Sequence, residues 1–88
     1  MAGDYDKAIS DLDIAIRNDP NMAIAFGARG AAYGAKGDFT RALNDLNEAI
    51  RINVNYAWAY NERARVYRAQ GRNDLADADT ATYNRLTR

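Results

Sequence analysis

The chain contains no cysteine and no histidine. The first absence removes disulfide staples, thiolate nucleophiles and thiolate metal sites. The second removes the commonest general base and the commonest metal ligand. Proline occurs once, at Pro20, and no apolar run exceeds a few residues, so nothing reads as a membrane span. Net charge is missing too, with 12 Lys+Arg against 12 Asp+Glu. Proteins that coat polyanions gain affinity with each phosphate they neutralise, so this balance argues against nucleic acid as a partner. The opening MAGDYDKAIS has neither the basic nor the apolar region of a secretion signal. That favours a cytoplasmic protein and leaves a periplasmic or mature secreted form open. What is there is 88 residues, 48% hydrophobic and 27% charged, the composition of one small globular domain spanning 1–88. A chain of that size hides only about 60–65% of its unfolded surface, so its stability margin is thin.

The strongest signal is a repeat of fixed period. Gly3, Gly37 and Gly71 are 34 residues apart, as are Ala8, Ala42 and Ala76, then Asp11, Asp45 and Asp79, then Arg17, Arg51 and Arg85. Leu12 matches Leu46, Ile16 matches Ile50, Phe26 matches Tyr60, Arg29 matches Arg63 and Tyr33 matches Tyr67. Laid on 37–56 without a gap, residues 3–22 are identical at 9 of 20 positions, too many for coincidence. Periods of 20–50 residues are the signature of a solenoid.

Inside each period the apolar residues follow a helical spacing. Tyr5, Ala8, Ile9, Leu12, Ala15 and Ile16 form a stripe on one helix face, and Phe39, Ala42, Leu43, Leu46, Ala49 and Ile50 repeat it. Residues 22–35 and 56–70 are rich in alanine, which lets helix axes approach, with aromatics seven apart to fill the gaps. Gly37 and Gly71 stand where a helix ends in a left-handed residue. Pro20 ends the first helix, because the residue before a proline avoids the α region. Five helices follow, near 5–18, 22–35, 39–52, 56–70 and 73–87. The 2–5-residue turns between them leave no room for a sheet.

With Ala23 as position 1, one unit places Phe26 at 4, Gly30 at 8, Tyr33 at 11, Ala42 at 20, Leu46 at 24 and Ala49 at 27; the next has Tyr60, Ala64, Tyr67, Ala76, Thr80 and Tyr83. This pattern resembles the tetratricopeptide (TPR) repeat over nearly all of residues 3–88. The resemblance implies an all-α fold, a right-handed α-solenoid of antiparallel helix pairs. Residues 3–22 form a half repeat that supplies only the second helix of its unit, 23–56 are a full repeat, and 57–88 are a full repeat with a polar C-terminal helix. Departures from the family pattern are few. Val54 replaces a usual proline, which should loosen that turn, and Arg29 and Arg63 replace a usual leucine. Asn73, Thr80 and Tyr83 make the last helix polar, as in a terminal cap, so the chain is expected to end near a natural C-terminus. Its start inside a repeat suggests truncation instead.

The resemblance also implies a function carried by surface, since TPR arrays bind extended peptides or partner helices in a concave groove. The groove positions are Ile24, Gly27, Ala31 and Gly34 in the first full unit and Trp58, Asn61, Arg65 and Arg68 in the second. The first set is nearly bare; the second offers an indole, an amide and two guanidiniums. Arginine forks grip carboxylates and asparagine holds a peptide amide, so a protein or peptide with an acidic segment or C-terminal carboxylate is the expected partner. Asn61 and Arg65 resemble half of the family's carboxylate clamp, whose other half has no counterpart. Trp58 opens its helix, where packing on the preceding turn is the commoner role. Arg63, Arg65, Arg68 and Arg72 form a local basic cluster, but Asp74, Asp77 and Asp79 offset it, which speaks against nucleic acid.

The half repeat has a further consequence. At about 25 cal/mol per Å², leaving a few hundred Å² of Tyr5, Ile9, Leu12 and Ile16 in water forfeits several kcal/mol, comparable with a small domain's whole stability. A homo-oligomer is therefore expected, a packed or domain-swapped dimer using these four residues. The alternative is that Ile9 and Leu12 turn onto the helix at 22–35 within one copy. Catalysis finds no constellation. Asp11 with Asp13, and Asp77 with Asp79, are two apart on a helix and point to different faces. Asp13 with Arg17, and Arg41 with Asp45, read as ordinary surface pairs. No calcium loop or phosphate cradle accompanies the glycines, so no cofactor, metal or enzymatic activity is expected.

Overall fold

In a computed structural model that describes residues 4–88, five helices follow one another: α1 (Asp4–Asn18), α2 (Ala23–Lys36), α3 (Phe39–Ile52), α4 (Ala57–Ala69) and α5 (Asn73–Leu86). Each lies within one residue of its expected bounds. Gly3, the first of the expected turn glycines, falls outside the described residues. Among those residues there is no strand. Each helix packs on its neighbours in the chain, and α2 also touches α4, one repeat further on. That progression is the stacked order a 34-residue helix-pair repeat requires.

The turns within each helix pair are copies of one another. Gly37 (φ +87°) and Gly71 (φ +75°) take the left-handed conformation that glycine adopts without steric cost. In each the next amide reaches back to close the helix: Asp38 N–H donates to the Tyr33 carbonyl (2.9 Å) and Arg72 N–H to that of Tyr67 (2.8 Å). Asp38 then caps α3 by accepting from the Arg41 amide at 3.2 Å. The turns between units are also copies. Asn21 N–H donates to the Asp19 carboxylate, and Asn55 N–H to the Asn53 side-chain carbonyl, both at 3.1 Å. The turn at Val54 is therefore built like the one at Pro20. It gains a tie that the first turn lacks, because the Tyr60 hydroxyl donates to the Val54 carbonyl at 2.9 Å, and Phe26 occupies the matching position with no hydroxyl.

The core is made of small side chains. Ala42, Leu46, Ala49 and Ala59 have no exposed surface, and Val66 has little. Phe26, Tyr33, Phe39, Leu43, Ile50 and Tyr56 close around them. Close approach of α2 to α3 depends on Gly30, where a Cβ would lie 2.9 Å from Leu46 Cγ and 3.1 Å from the Ala42 carbonyl oxygen. In the second pair the matching residues are Ala64 and Thr80, so a methyl group gained on one helix faces a smaller side chain on the other.

Two buried carboxylates tie the helices together. Asp45 and Asp79 are each only 5% exposed. Arg29 reaches from α2 to Asp45 on α3 with two bonds, Nε to Oδ2 and Nη2 to Oδ1, both 2.8 Å. Its third arm, Nη1, donates to Asp13 on α1 at 2.8 Å. One repeat later Arg63 grips Asp79 on α5 at 2.8 and 2.7 Å and donates to Asn47 on α3 at 3.0 Å. The hydrogen bonds to Asp45 and to Asp79 push both guanidiniums above their ordinary range, against the opposing effect of burial, so each stays charged. Aromatic faces complete the cage: Arg29 lies over Phe26 (5.6 Å), and Arg63 over Tyr60 and Tyr67 (5.6 and 5.8 Å).

This arrangement corrects the surface pairs expected from helical spacing. Asp13 does not pair with Arg17, nor Arg41 with Asp45; both aspartates go to Arg29, and Arg41 folds back on Asp38 at 3.1 Å. The buried fork offers bidentate geometry and a low-dielectric site, which a solvated pair four residues apart does not.

Two outcomes follow. Arg63→Ala strands a buried carboxylate and should lower unfolding free energy in urea by about 2–4 kcal/mol, while replacing Arg63 and Asp79 together by Met and Leu should recover most of the loss. Gly30→Ala gains about 1 kcal/mol of helix propensity. The clash is with a fully buried side chain and a backbone oxygen, neither of which yields, so overpacking worth about 1–3 kcal/mol dominates and the melting temperature should fall.

Candidate functional site

The face where α2 and α4 run side by side holds a cavity of about 240 Å³. Ala31, Gly34 and Ala35 line it from α2, Phe39 from the start of α3, and Glu62, Arg65, Val66 and Ala69 from α4. The alanines and the glycine keep its α2 wall low. A Cβ on Gly34 would come within 3.3 Å of Val66 Cγ2, so the two helices are already in contact beneath the cavity. At its rim Arg65 is three-quarters exposed and meets Glu62 only loosely, at 3.8 Å, whereas the Glu62 side chain is largely covered. The walls are thus apolar, with one guanidinium free to turn toward solvent and one carboxylate held close to the protein. Burial and the neighbouring charge of Glu62 raise the Tyr56 hydroxyl above its usual range, so it stays neutral.

Of the eight groove residues expected from sequence, Ala31, Gly34 and Arg65 line this cavity together. Gly27 lies under an aromatic shelf. A Cβ there would meet Trp58 and Tyr56, each at 3.1 Å, and the two rings lean together with centroids 5.9 Å apart. Trp58 therefore packs on the turn before its helix and across onto α2, still 38% exposed. Ile24, at the matching position one unit earlier, is 68% exposed. Asn61 is half-buried and does not line the cavity. Arg68 turns to α5, where it donates to Asp77 (3.1 Å) and Thr80 (3.3 Å). Sequence reasoning did not single out Phe39, Glu62, Val66, Ala35 or Ala69. Phe39 read as part of an apolar helix stripe, and Glu62 stands next to Asn61 at a position not assigned to the groove.

The four residues expected to mediate self-association divide differently. Ile9 is buried, Leu12 and Ile16 are half-buried, and Tyr5 is exposed; among the described helices α1 packs on α2 alone. On the opposite side of α2 a wider, shallow concavity is lined by Asp13, Arg29 and Asp45 with Ile16, Arg17, Tyr33, Arg41 and Asn44. Its acids are already spent on Arg29. No group of three or more acidic residues among those described is arranged to hold a metal ion. No described helix is long and apolar enough to cross a membrane.

The contacts of Trp58, the chain's one tryptophan, give the shelf an optical readout. Gly27→Ala should push the indole toward water, shifting its emission to longer wavelength with the helix content unchanged by circular dichroism. An unshifted spectrum would mean the ring does not rest on Gly27.

No curated protein matches the chain. Residues 32–71 match the family model described as TPR repeat, a stretch that runs from the middle of α2 to the glycine turn after α4. TPR repeats generally mediate protein–protein interaction and are typically non-catalytic. The matched segment lies inside a 34-residue period that continues on both sides of it, and the match supports assigning the chain to the tetratricopeptide repeat family.

Proposed function

We propose that the chain is a non-catalytic interaction module that binds an extended peptide or partner helix along the face formed by α2 and α4. The observation that carries this reading is the cavity between Gly34 and Val66, of a size to take one apolar side chain, with the exposed Arg65 at its rim. A single exposed guanidinium beside an apolar hole suits a ligand that presents an apolar residue next to a carboxylate. A peptide ending in such a residue has both, the side chain for the cavity and the terminal carboxylate for a bidentate grip. Glu62, close by on the wall, disfavours a second negative charge deeper in the site. Trp58 and Ile24, exposed further along the same two helices, extend the apolar track and fit hydrophobic residues upstream in the ligand. Self-association through Tyr5, Ile9, Leu12 and Ile16 draws less support, because three of the four are wholly or partly covered within one copy.

Calorimetric titration with peptides ending in a hydrophobic residue tests the reading. Arg65→Ala should weaken binding by about tenfold, as for loss of one charge-assisted contact, and amidation of the peptide C-terminus should produce a similar loss. The two changes together should cost little more than either alone. Equal affinity for the acid and the amide would overturn the carboxylate assignment, and no binding by either would overturn the groove.

A further inference from the structure

Glu62 is a covered carboxylate without a donor. Its side chain is 13% exposed, close to the 7% of Asp45 and Asp79. Those two aspartates are each held by two guanidinium nitrogens. Glu62 accepts no hydrogen bond from any described residue, and its one charged neighbour, Arg65 Nη1, stands 3.8 Å from Oε2. What remains open of it lines the cavity between α2 and α4. The repeat does not demand this acid. The matching residue one unit earlier is Ala28, just as Ala31 matches Arg65.

A ligand side chain that enters the cavity displaces water from the wall that Glu62 belongs to. An ionised carboxylate that loses water without gaining a donor is strongly destabilised. A ligand that fills the hole must therefore bring a donor with it. Where the side chain fills the cavity and the terminal carboxylate goes to Arg65, the nearest donor is the main-chain N–H of that same residue. Bond geometry sets the nitrogen and the carboxyl carbon of one residue about 2.5 Å apart. Glu62 and Arg65 offer an acceptor and a donor 3.8 Å apart, a separation that suits the two ends of a single residue. A cationic ligand side chain is a poorer donor, because its head would lie against the Arg65 guanidinium.

Given the groove as a seat for a peptide C-terminus, the reading on which this rests, we infer that Glu62 is a specificity-determining residue that accepts the main-chain N–H of the ligand's last residue. Glu62 and Arg65 then recognise the two ends of one terminal residue and fix the direction in which the peptide lies. With the chain reversed, the terminal carboxylate would face Glu62, a contact between like charges. The tie also excludes a last residue that has no N–H to give.

The test is calorimetric titration of the full chain with a short acetylated alanine peptide ending in leucine, and with the same peptide carrying an ester in place of the amide before the leucine. The ester keeps the side chain and the carboxylate and lacks the N–H. It should bind about tenfold more weakly than the parent, as for loss of one charge-assisted bond. Glu62→Ala should bring the two affinities together, and Glu62→Gln, which keeps an acceptor, should retain a preference for the parent. Alanine and glutamine both favour helix, so circular dichroism should show both variants folded. A purely structural role for Glu62 would weaken parent and ester alike and leave their ratio at the wild-type value, which would overturn the inference. So would equal binding of parent and ester by the wild-type chain while the free acid still outbinds the peptide with an amidated end, a result that leaves the C-terminal reading standing. Failure of that reading shows separately, as equal affinity for the acid and the amidated peptide, and takes the inference with it. Tighter binding of a peptide ending in lysine, lost on Glu62→Ala, would also overturn it, because Glu62 would then be the seat of a cation.

Discussion

The structure depends on an arginine placed where the TPR pattern usually has a leucine. Arg29 and Arg63 each sit at the junction of three helices, gripping an aspartate on the following helix and an oxygen on the preceding one. A leucine would fill the same space but bond to nothing. Two features offset the cost of removing these charges from water: each aspartate is met bidentately, and the third arm of each guanidinium is also satisfied. No buried side-chain nitrogen or oxygen among the described residues lacks a partner. The fork also enforces geometry. Parallel bonds from Nε and Nη2 fix both distance and rotation between helices, whereas a core of alanines alone would let them slide.

The constraint explains why so small a core suffices. Among the described residues Leu46 is the one large side chain with essentially no exposed surface, and the rest of the interior is mostly alanine, which contributes little transfer free energy per residue. Close packing of α2, α3 and α4 lets aromatic rings at the periphery cover the arginines as well as the alanines. Rings that would be marginal as core residues thus serve twice, as apolar cover and as cation acceptors.

Much of this fold was legible in the sequence, because helix spacing, turn glycines and a 34-residue period are local signals that agree with one another. Helix bounds came within a residue. The ion pairs were not legible by the rule applied to them, which matched charges four apart on one helix. The true partners are 16 residues apart on different helices. A signal for them did exist: Arg29 and Arg63 recur at the same spacing as Asp45 and Asp79, and a pair of opposite charges that recurs together is bound by the repeat. The site was legible only in part, for a different reason. Positions on one helix face share a direction, but what covers them depends on the neighbouring helix. Trp58 and Tyr56 lean onto Gly27, and Arg68 is drawn to Asp77 on α5, so residues of one face divide between a cavity, a shelf and an interhelical tie.

The matched steric choices in the two helix pairs, Gly30 with Leu46 and Ala64 with Thr80, bear on how such a chain can be rearranged. A recombination point inside a pair would join a helix shaped like α4 to one shaped like α3 and drive a methyl group into a leucine. A point at the Asp19 or Asn53 turns would move each matched pair as a whole. The seams along which these units can be shuffled are therefore the asparagine- and aspartate-closed turns between pairs, not the glycine turns within them.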